Sequence, residues 1–180
     1  IARMFLKNRT LLLNNLAFAA NVFLTTALMT WLPTFFHRIY DLPMTEAGTR
    51  GGLIMVLSIA GVPLGGFLTD AWYQKRKNAR ALFPAITSFI SAALILMAFV
   101  FSQGTLQFVL LILCGITVPA FLPASVSVTQ DVIHPGLRAM SLSLCIIIQH
   151  LLGSSTGPIV VGALSDSHGI KTAMMFLAIA

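Results

Sequence analysis

Five long apolar runs, separated by short stretches in which charge collects, set the plan of this chain. A charge-free run from Leu11 to Phe36 follows a basic start at Arg3, Lys7 and Arg9. It is long enough to cross a bilayer, since about 20 helical residues cover about 30 Å of hydrocarbon. Further runs cover Gly51 to Thr69, Ala81 to Phe101, Leu106 to Gln130 and Ala139 to Ser165. A sixth begins at Thr172 and is still apolar at Ala180, too short as it stands to cross. Between the runs the pattern predicts a polar connector over His37 to Arg50, in which Asp41, Pro43 and Glu46 break any helix. It also predicts a basic loop after Asp70, a turn over Ser102 to Thr105, and loops over Asp131 to Arg138 and Asp166 to Lys171. Trp31 and Tyr40 bracket the first connector as interfacial aromatics.

The polar positions inside the runs refine this plan. Asn14, Asn21 and Thr25 recur at helical spacing, giving the first span a polar face that should not meet lipid. That face fits either a solute cavity or hydrogen bonding between packed helices. The third span is apolar nearly all round, apart from Thr87, Ser88 and Ser91, as suits a helix that faces lipid. In the fourth, Pro119 and Pro123 each remove a backbone donor and predict a bend or loosened turns. Gly61, Gly65 and Gly66, with Ser58 one turn earlier, form a strip on which another helix can approach closely, and Gly153 with Gly157 reads the same way.

Composition agrees: 57% of residues are hydrophobic and 9% charged, with mean hydropathy +0.92, where a soluble domain carries about 25% charged residues. The net charge of +6 would suit nucleic acid, but the cations lie in loops without interleaved stacking aromatics, so the bilayer is the partner and nucleic acid is excluded. If the loops alternate sides, eight of the 11 cations share the side of residues 1 to 10, while Arg38, Arg50 and Lys171 take the other. The positive-inside rule makes the first side cytoplasmic, and the expected location is a plasma or inner membrane. Cys114 and Cys145 fall at different depths on neighbouring spans and read as packing thiols. The chain starts at Ile1 and stops within an apolar run, which reads as a piece of a longer polypeptide.

A short repeat organises the whole. Gly66-Phe-Leu-Thr-Asp70 closes the second span and Gly162-Ala-Leu-Ser-Asp166 the fifth, preceded by Pro63 and Pro158. Both match G-x-L-[ST]-D. Three spans separate them, and an odd number places them at opposite faces. The expected architecture is therefore an all-α polytopic bundle of two inverted three-helix repeats, 11–101 and 106–180, a building principle of secondary transporters.

These residues resemble the major facilitator superfamily. Its signature between the second and third helices of each half is a Gly, three residues, an Asp and a basic cluster, which Gly66, Asp70, Arg76 and Arg80 fit. The run HPGLRAMSLSLCIIIQHLLGSSTGPIVVGALSD is similar to the eleventh helix of spinster-like members, and TWLPTFFHRIYDL to the end of their seventh. The resemblance covers nearly the whole chain and implies a C-terminal half, helices seven to twelve, partnered by an N-terminal half of the same polypeptide. Ala71 departs from the pattern where a basic residue commonly follows the Asp, and Tyr73 near where a Gly is usual. Ser154 stands where animal spinster proteins tend to have Asp, a departure that leaves open whether the lipid substrates of those relatives carry over.

The candidate chemistry is sparse. His150 is the one ionisable side chain deep within a span, with Gln149 beside it. It reads as a substrate or proton contact, with an interhelical hydrogen bond as the alternative. Asp70 with Arg76 and Arg80 reads as a conformational latch at the cytoplasmic face, implied by the resemblance, or as a solvated loop that only sets topology. Arg76 versus Lys75 or Lys77 as the partner of Asp70 is left open. All five carboxylates, Asp41, Glu46, Asp70, Asp131 and Asp166, lie at helix ends or in loops. A titrating carboxylate for proton coupling would then lie elsewhere in the longer protein, or His150 does that work. An intramembrane enzyme would need two or more acid, base or metal-ligating groups at one depth, so no enzyme, metal or cofactor is expected. The reading is a secondary active transporter of a small organic or lipid-like amphipathic solute, and the competing one a non-transporting sensor or interaction protein on the same fold.

Overall fold

The computed structural model describes residues 8–101 and 103–179, so that Arg3, Lys7 and Ser102 lie outside the described residues. Helix α1 (Arg9–Tyr40) starts at Asn8, whose side chain accepts a hydrogen bond from the Leu11 amide, and ends where Asp41 turns left-handed with φ 51°. The next helix, α2 (Met44–Ser58), begins three residues later. The connector expected over His37 to Arg50 is thus only Asp41 to Pro43. Glu46 does not break a helix. It sits in the first turn of α2, at the positive end of the helix dipole, and pairs with Arg50 one turn on at 2.8 Å.

The second span is two helices, α2 and α3 (Gly61–Tyr73), rather than one. Between them the amides of Ile59 and Ala60 reach carbonyls only three residues back, Val56 and Leu57. Pro63 has no amide to offer Ile59, so the ladder loosens there. Helix α4 (Ala79–Leu96) runs into a π turn, Met97–Phe101. Helix α5 (Thr105–Asp131) passes unbroken through both its prolines, contrary to the loosened turns expected. Their rings fall against the glycine strip of α3. A Cβ on Gly61 would stand 2.7 Å from Pro119 Cγ, and one on Gly66 3.7 Å from Pro123 Cβ.

After a 3-10 turn at Pro135–Leu137, the fifth span is α6 (Arg138–Gln149), a π turn at His150–Ser154 and α7 (Thr156–His168). Gly169, with φ 83°, turns the chain into α8 (Ile170–Phe176). The loops expected over Asp131 to Arg138 and Asp166 to Lys171 are correspondingly shorter.

Helices α1 and α5 are the hub. α3 and α4 lie along α5, α2 and the fifth span lie along α1, and the two hub helices meet each other. At the end of the bundle opposite the basic loop, Phe35 packs edge to face against Phe36, Tyr40 and Phe99 with ring centroids 5.0–6.5 Å apart. Helix α4 has two faces rather than one. Phe89 is 80% exposed, as a lipid-facing side chain should be, while Thr87 and Ser91 are buried, and Ser91 Oγ donates to Thr117 Oγ1 of α5 at 3.0 Å. Among the described residues five helical segments are long and apolar enough to cross a membrane.

Candidate functional site

The basic face is built around one arginine. Asp70 ends the repeat motif near the close of α3, Arg80 opens α4, and Asp131 closes α5, so three helix ends converge. Arg80 Nη1 lies 2.7 Å from Asp131 Oδ2, and Nη2 3.8 Å from Asp70 Oδ1. Its guanidinium also lies 4.0 Å from the centroid of the Tyr73 ring. Arg80 therefore bridges two acids and ties α4 to α3 and α5. Among the described residues Lys75, Arg76 and Lys77 make no ion pair, and all three are exposed. The expected place of Arg76 in the latch is not what the structure shows. Asp131 was not foreseen in it, because nothing in the separation of Asp131 from Asp70 and Arg80 along the chain signals that their helix ends meet.

The polar face of α1 is occupied by α5. Asn14 Nδ2 donates to the Ser125 carbonyl and to Thr129 Oγ1, both at 3.0 Å, and Ser125 Oγ returns a bond to Asn14 Oδ1 at 3.1 Å. Asn21 Nδ2 donates to the Val118 carbonyl at 3.1 Å, one residue before Pro119. Thr25 bonds back to the Asn21 carbonyl of its own helix at 2.8 Å. Asn14 and Asn21 also border grooves of about 450 and 220 Å³, shared with Ser88 of α4 and walls from α5. Neither groove includes Gln149 or His150. The five residues expected around one cavity are thus divided between two regions of the bundle.

His150 opens the π turn that interrupts the fifth span. The amide and hydroxyl of Ser155 both donate to the His150 carbonyl, at 3.0 and 2.9 Å, and the Thr156 hydroxyl donates to the Leu152 carbonyl. These hydroxyls satisfy carbonyls that a widened turn would leave bare in hydrocarbon. Gln149 is buried, but the neighbouring His150 side chain is exposed and has no hydrogen-bond partner among the described residues. Beyond the turn, Gly153 and Gly157 seat the span on α1: a Cβ on either would stand 2.5 Å from a backbone oxygen, of Ala19 and Phe23 respectively. Gly61 and Gly65 seat α3 on α5 in the same manner, against Ile116, Pro119 and Ala120.

At the opposite face the two aromatics expected at the interface work inside the bundle. Trp31 Nε1 donates to the Pro158 carbonyl at 2.9 Å, and its ring covers Gly162. The Tyr40 hydroxyl donates to Gln107 Oε1 at 2.5 Å and accepts from the Gly104 amide at 2.8 Å. Gln107 Nε2 then donates to the Ala98 carbonyl, in the π turn, at 2.6 Å. Gln107 is buried and was missed in the sequence, where one Gln near a turn carries no signal.

A family model described as Major Facilitator Superfamily matches residues 1–158. Protein spinster homolog 1 of Xenopus laevis is 27% identical over 175 residues, covering 89% of this chain and 33% of that protein. The Sphingosine-1-phosphate transporter SPNS2 of Danio rerio is 27% identical over 177 residues, covering 89% and 35%. The chain thus spans about a third of the length of these relatives. A bacterial homologue of the human lysosomal transporter spinster, in an inward-facing and unoccupied conformation, superposes with a TM-score of 0.86 over 98% of this chain and 46% of that one, at 20% identity. That likeness shows a shared fold, and the apolar spans make this an integral, multi-pass membrane protein. With glycine strips holding its spans together, an arginine tying acids at the ends of α3 and α5, and the family match running from the first residue into α7, the chain belongs to the Major Facilitator Superfamily.

Proposed function

We propose that this chain is one half of a secondary active transporter, which rocks against the rest of a longer protein around a site near the membrane midplane. The observation that carries the reading is His150, an ionisable side chain at mid-span that is exposed on the surface of this bundle. An imidazole facing lipid at that depth is costly. The cost disappears if the His150 surface faces a water-filled cavity shared with the other half. His150, on a π turn of the kind often found at functional sites, is then the contact for a solute or a proton. Asn14 and Asn21 support the cavity wall by tying α1 to α5, and Gln149 and Thr25 belong to the same proposed wall. The solute is a small organic or amphipathic molecule, a class consistent with the sphingosine-1-phosphate for which the SPNS2 relative is named. No enzymatic step is assigned.

The full-length protein in sealed vesicles should move solute when a gradient is imposed, and vesicles in which no candidate solute moves under any imposed gradient would sink the reading. Within that assay, His150→Gln keeps a hydrogen-bonding group but removes the ionisable imidazole. It should fold normally and change substrate affinity or the pH dependence of flux. An unchanged profile in both His150→Gln and His150→Leu removes His150 from the site.

The reading also places the basic face in the cytoplasm. With Cys114 and Cys145 replaced, a single Cys at Gln74 should resist an impermeant thiol reagent added outside, while one at Thr45 reacts. Both positions are exposed, so accessibility is decided by side of the membrane rather than by burial. The reverse labelling overturns the orientation.

A further inference from the structure

The two copies of G-x-L-[ST]-D can be compared through what surrounds them. In the first, Thr69 is buried, Gly66 stands against Pro123 of α5, and Asp70 is exposed at the basic face. In the second, Ser165 is buried, Gly162 stands against Trp31 of α1, and Asp166 is exposed at the opposite face. Helix α1 therefore does for the second copy what α5 does for the first. Two turns beyond Pro123, α5 presents Asp131; two turns beyond Trp31, α1 presents Arg38.

The charges differ in a way that makes chemical sense. At the basic face the two positions are both acids, which repel, and a third residue, Arg80, has to bridge them. At the opposite face one position is an acid and the other a cation, which need no bridge. The spacing that carries Asp70 onto Asp166 carries Arg80 onto Phe176, an apolar residue. Arg38 Nη1 already lies 3.4 Å from Ser165 Oγ, one residue short of Asp166, yet among the described residues neither Arg38 nor Asp166 makes an ion pair. Of the other charges of that face, Asp41 and Lys171 make no ion pair among the described residues. Glu46 is held by Arg50, and His37 Nδ1 lies 2.7 Å from the Leu42 carbonyl.

We propose that Arg38 and Asp166 form a second latch, the opposite-face counterpart of the Asp70–Arg80–Asp131 bridge, which closes when the Arg38 guanidinium moves from the Ser165 hydroxyl to the Asp166 carboxylate in another state of the cycle. The inference rests on the alternating-access reading above. A contact at each face gives each end of the bundle its own charge-held arrangement, as a two-state cycle requires.

The test uses the full-length protein in vesicles and measures turnover for Arg38→Gln, Asp166→Asn, the double variant and the exchanged pair Arg38→Asp with Asp166→Arg. Each single variant should change turnover by about two- to fivefold, the bias that one exposed ion pair carries. The double variant should be no further from wild type than either single, and the exchanged pair should return toward it, with melting temperatures unchanged throughout. Independent effects, effects that follow melting temperature, or silence at Arg38 while Arg80→Gln still slows turnover would overturn the second latch alone. Absence of flux in the wild type instead removes the transporter reading. With Cys114 and Cys145 replaced, a disulfide between Arg38→Cys and Asp166→Cys puts a reducible covalent tie in place of the ion pair. It should arrest flux until reduced, whereas a cross-linked protein with wild-type flux shows a contact present in every state and refutes the latch.

Discussion

Replacing Gly65 by alanine should destabilise the bundle severely, whereas the same change at the adjacent Gly66 should be nearly silent. A Cβ on Gly65 would stand 2.6 Å from the Ala120 Cα, so it meets the backbone of α5, which cannot rotate out of the way as a side chain can. A Cβ on Gly66 would meet Pro123 at 3.7 Å, an ordinary van der Waals contact. Overpacking a tight site typically costs about 1–3 kcal/mol, and Gly65→Ala belongs at or above the top of that range because α3 must separate from α5 to admit the methyl. Gly65→Leu should abolish assembly. Thermal unfolding of the full-length protein in detergent measures both, and equal melting temperatures for Gly65→Ala and Gly66→Ala would mean that the helices approach less closely than described. The opposed prolines sharpen the point: α5 spends two backbone donors at Pro119 and Pro123, and α3 meets that surface with Gly61, Gly65 and Gly66.

The largest functional loss is expected at Arg80. Arg80→Gln leaves Asp70 and Asp131 facing each other across the ends of α3 and α5 without their shared cation, and Tyr73 without the guanidinium on its ring. Each exposed ion pair is worth only about 0.2–1 kcal/mol in stability, and both acids are substantially exposed, so folding should survive. Turnover should not. If the bridge holds one arrangement of the helix ends, a loss of about 1.4 kcal/mol of differential stabilisation shifts the balance between states tenfold. Asp70→Asn should act in the same direction but less, since its contact is 3.8 Å against 2.7 Å for Asp131. Arg76→Gln should be close to neutral in turnover, because Arg76 has no acidic partner among the described residues. Full turnover in Arg80→Gln would leave the basic loop as a topology signal only.

Much of the helix pattern follows from composition and period alone. Runs of about 20 apolar residues with almost no charge have few alternatives in hydrocarbon, where every backbone polar group must be satisfied within a helix or a closed barrel. The spans from Leu11, Ala81 and Leu106 were therefore legible, and so was the close-packing character of Gly61, Gly65, Gly153 and Gly157, since side-chain size is a property of the residue itself. Helix ends were less so. Asp41, Pro43 and Glu46 read as breakers, yet α2 begins at Met44 because proline before a helix and glutamate in its first turn favour its start. The same local signals mean opposite things on the two sides of a boundary.

Partnership was decided only by the tertiary structure. Which acid takes Arg80, which carbonyls take Asn14 and Asn21, and what covers Gly162 all depend on where distant helix ends and faces meet. The π turn at His150 likewise escapes the sequence, because one extra residue in a turn changes no hydrophobic period that a short window can detect, while it does change which way the next side chains point. The sequence by itself determined the solvent, the number of apolar spans and the small residues on which helices could meet, because each is fixed by the transfer free energy or size of single residues. The tertiary structure decided which charges meet and which mid-span polar groups turn outward, because those depend on the relative rotation and register of helices far apart in the chain.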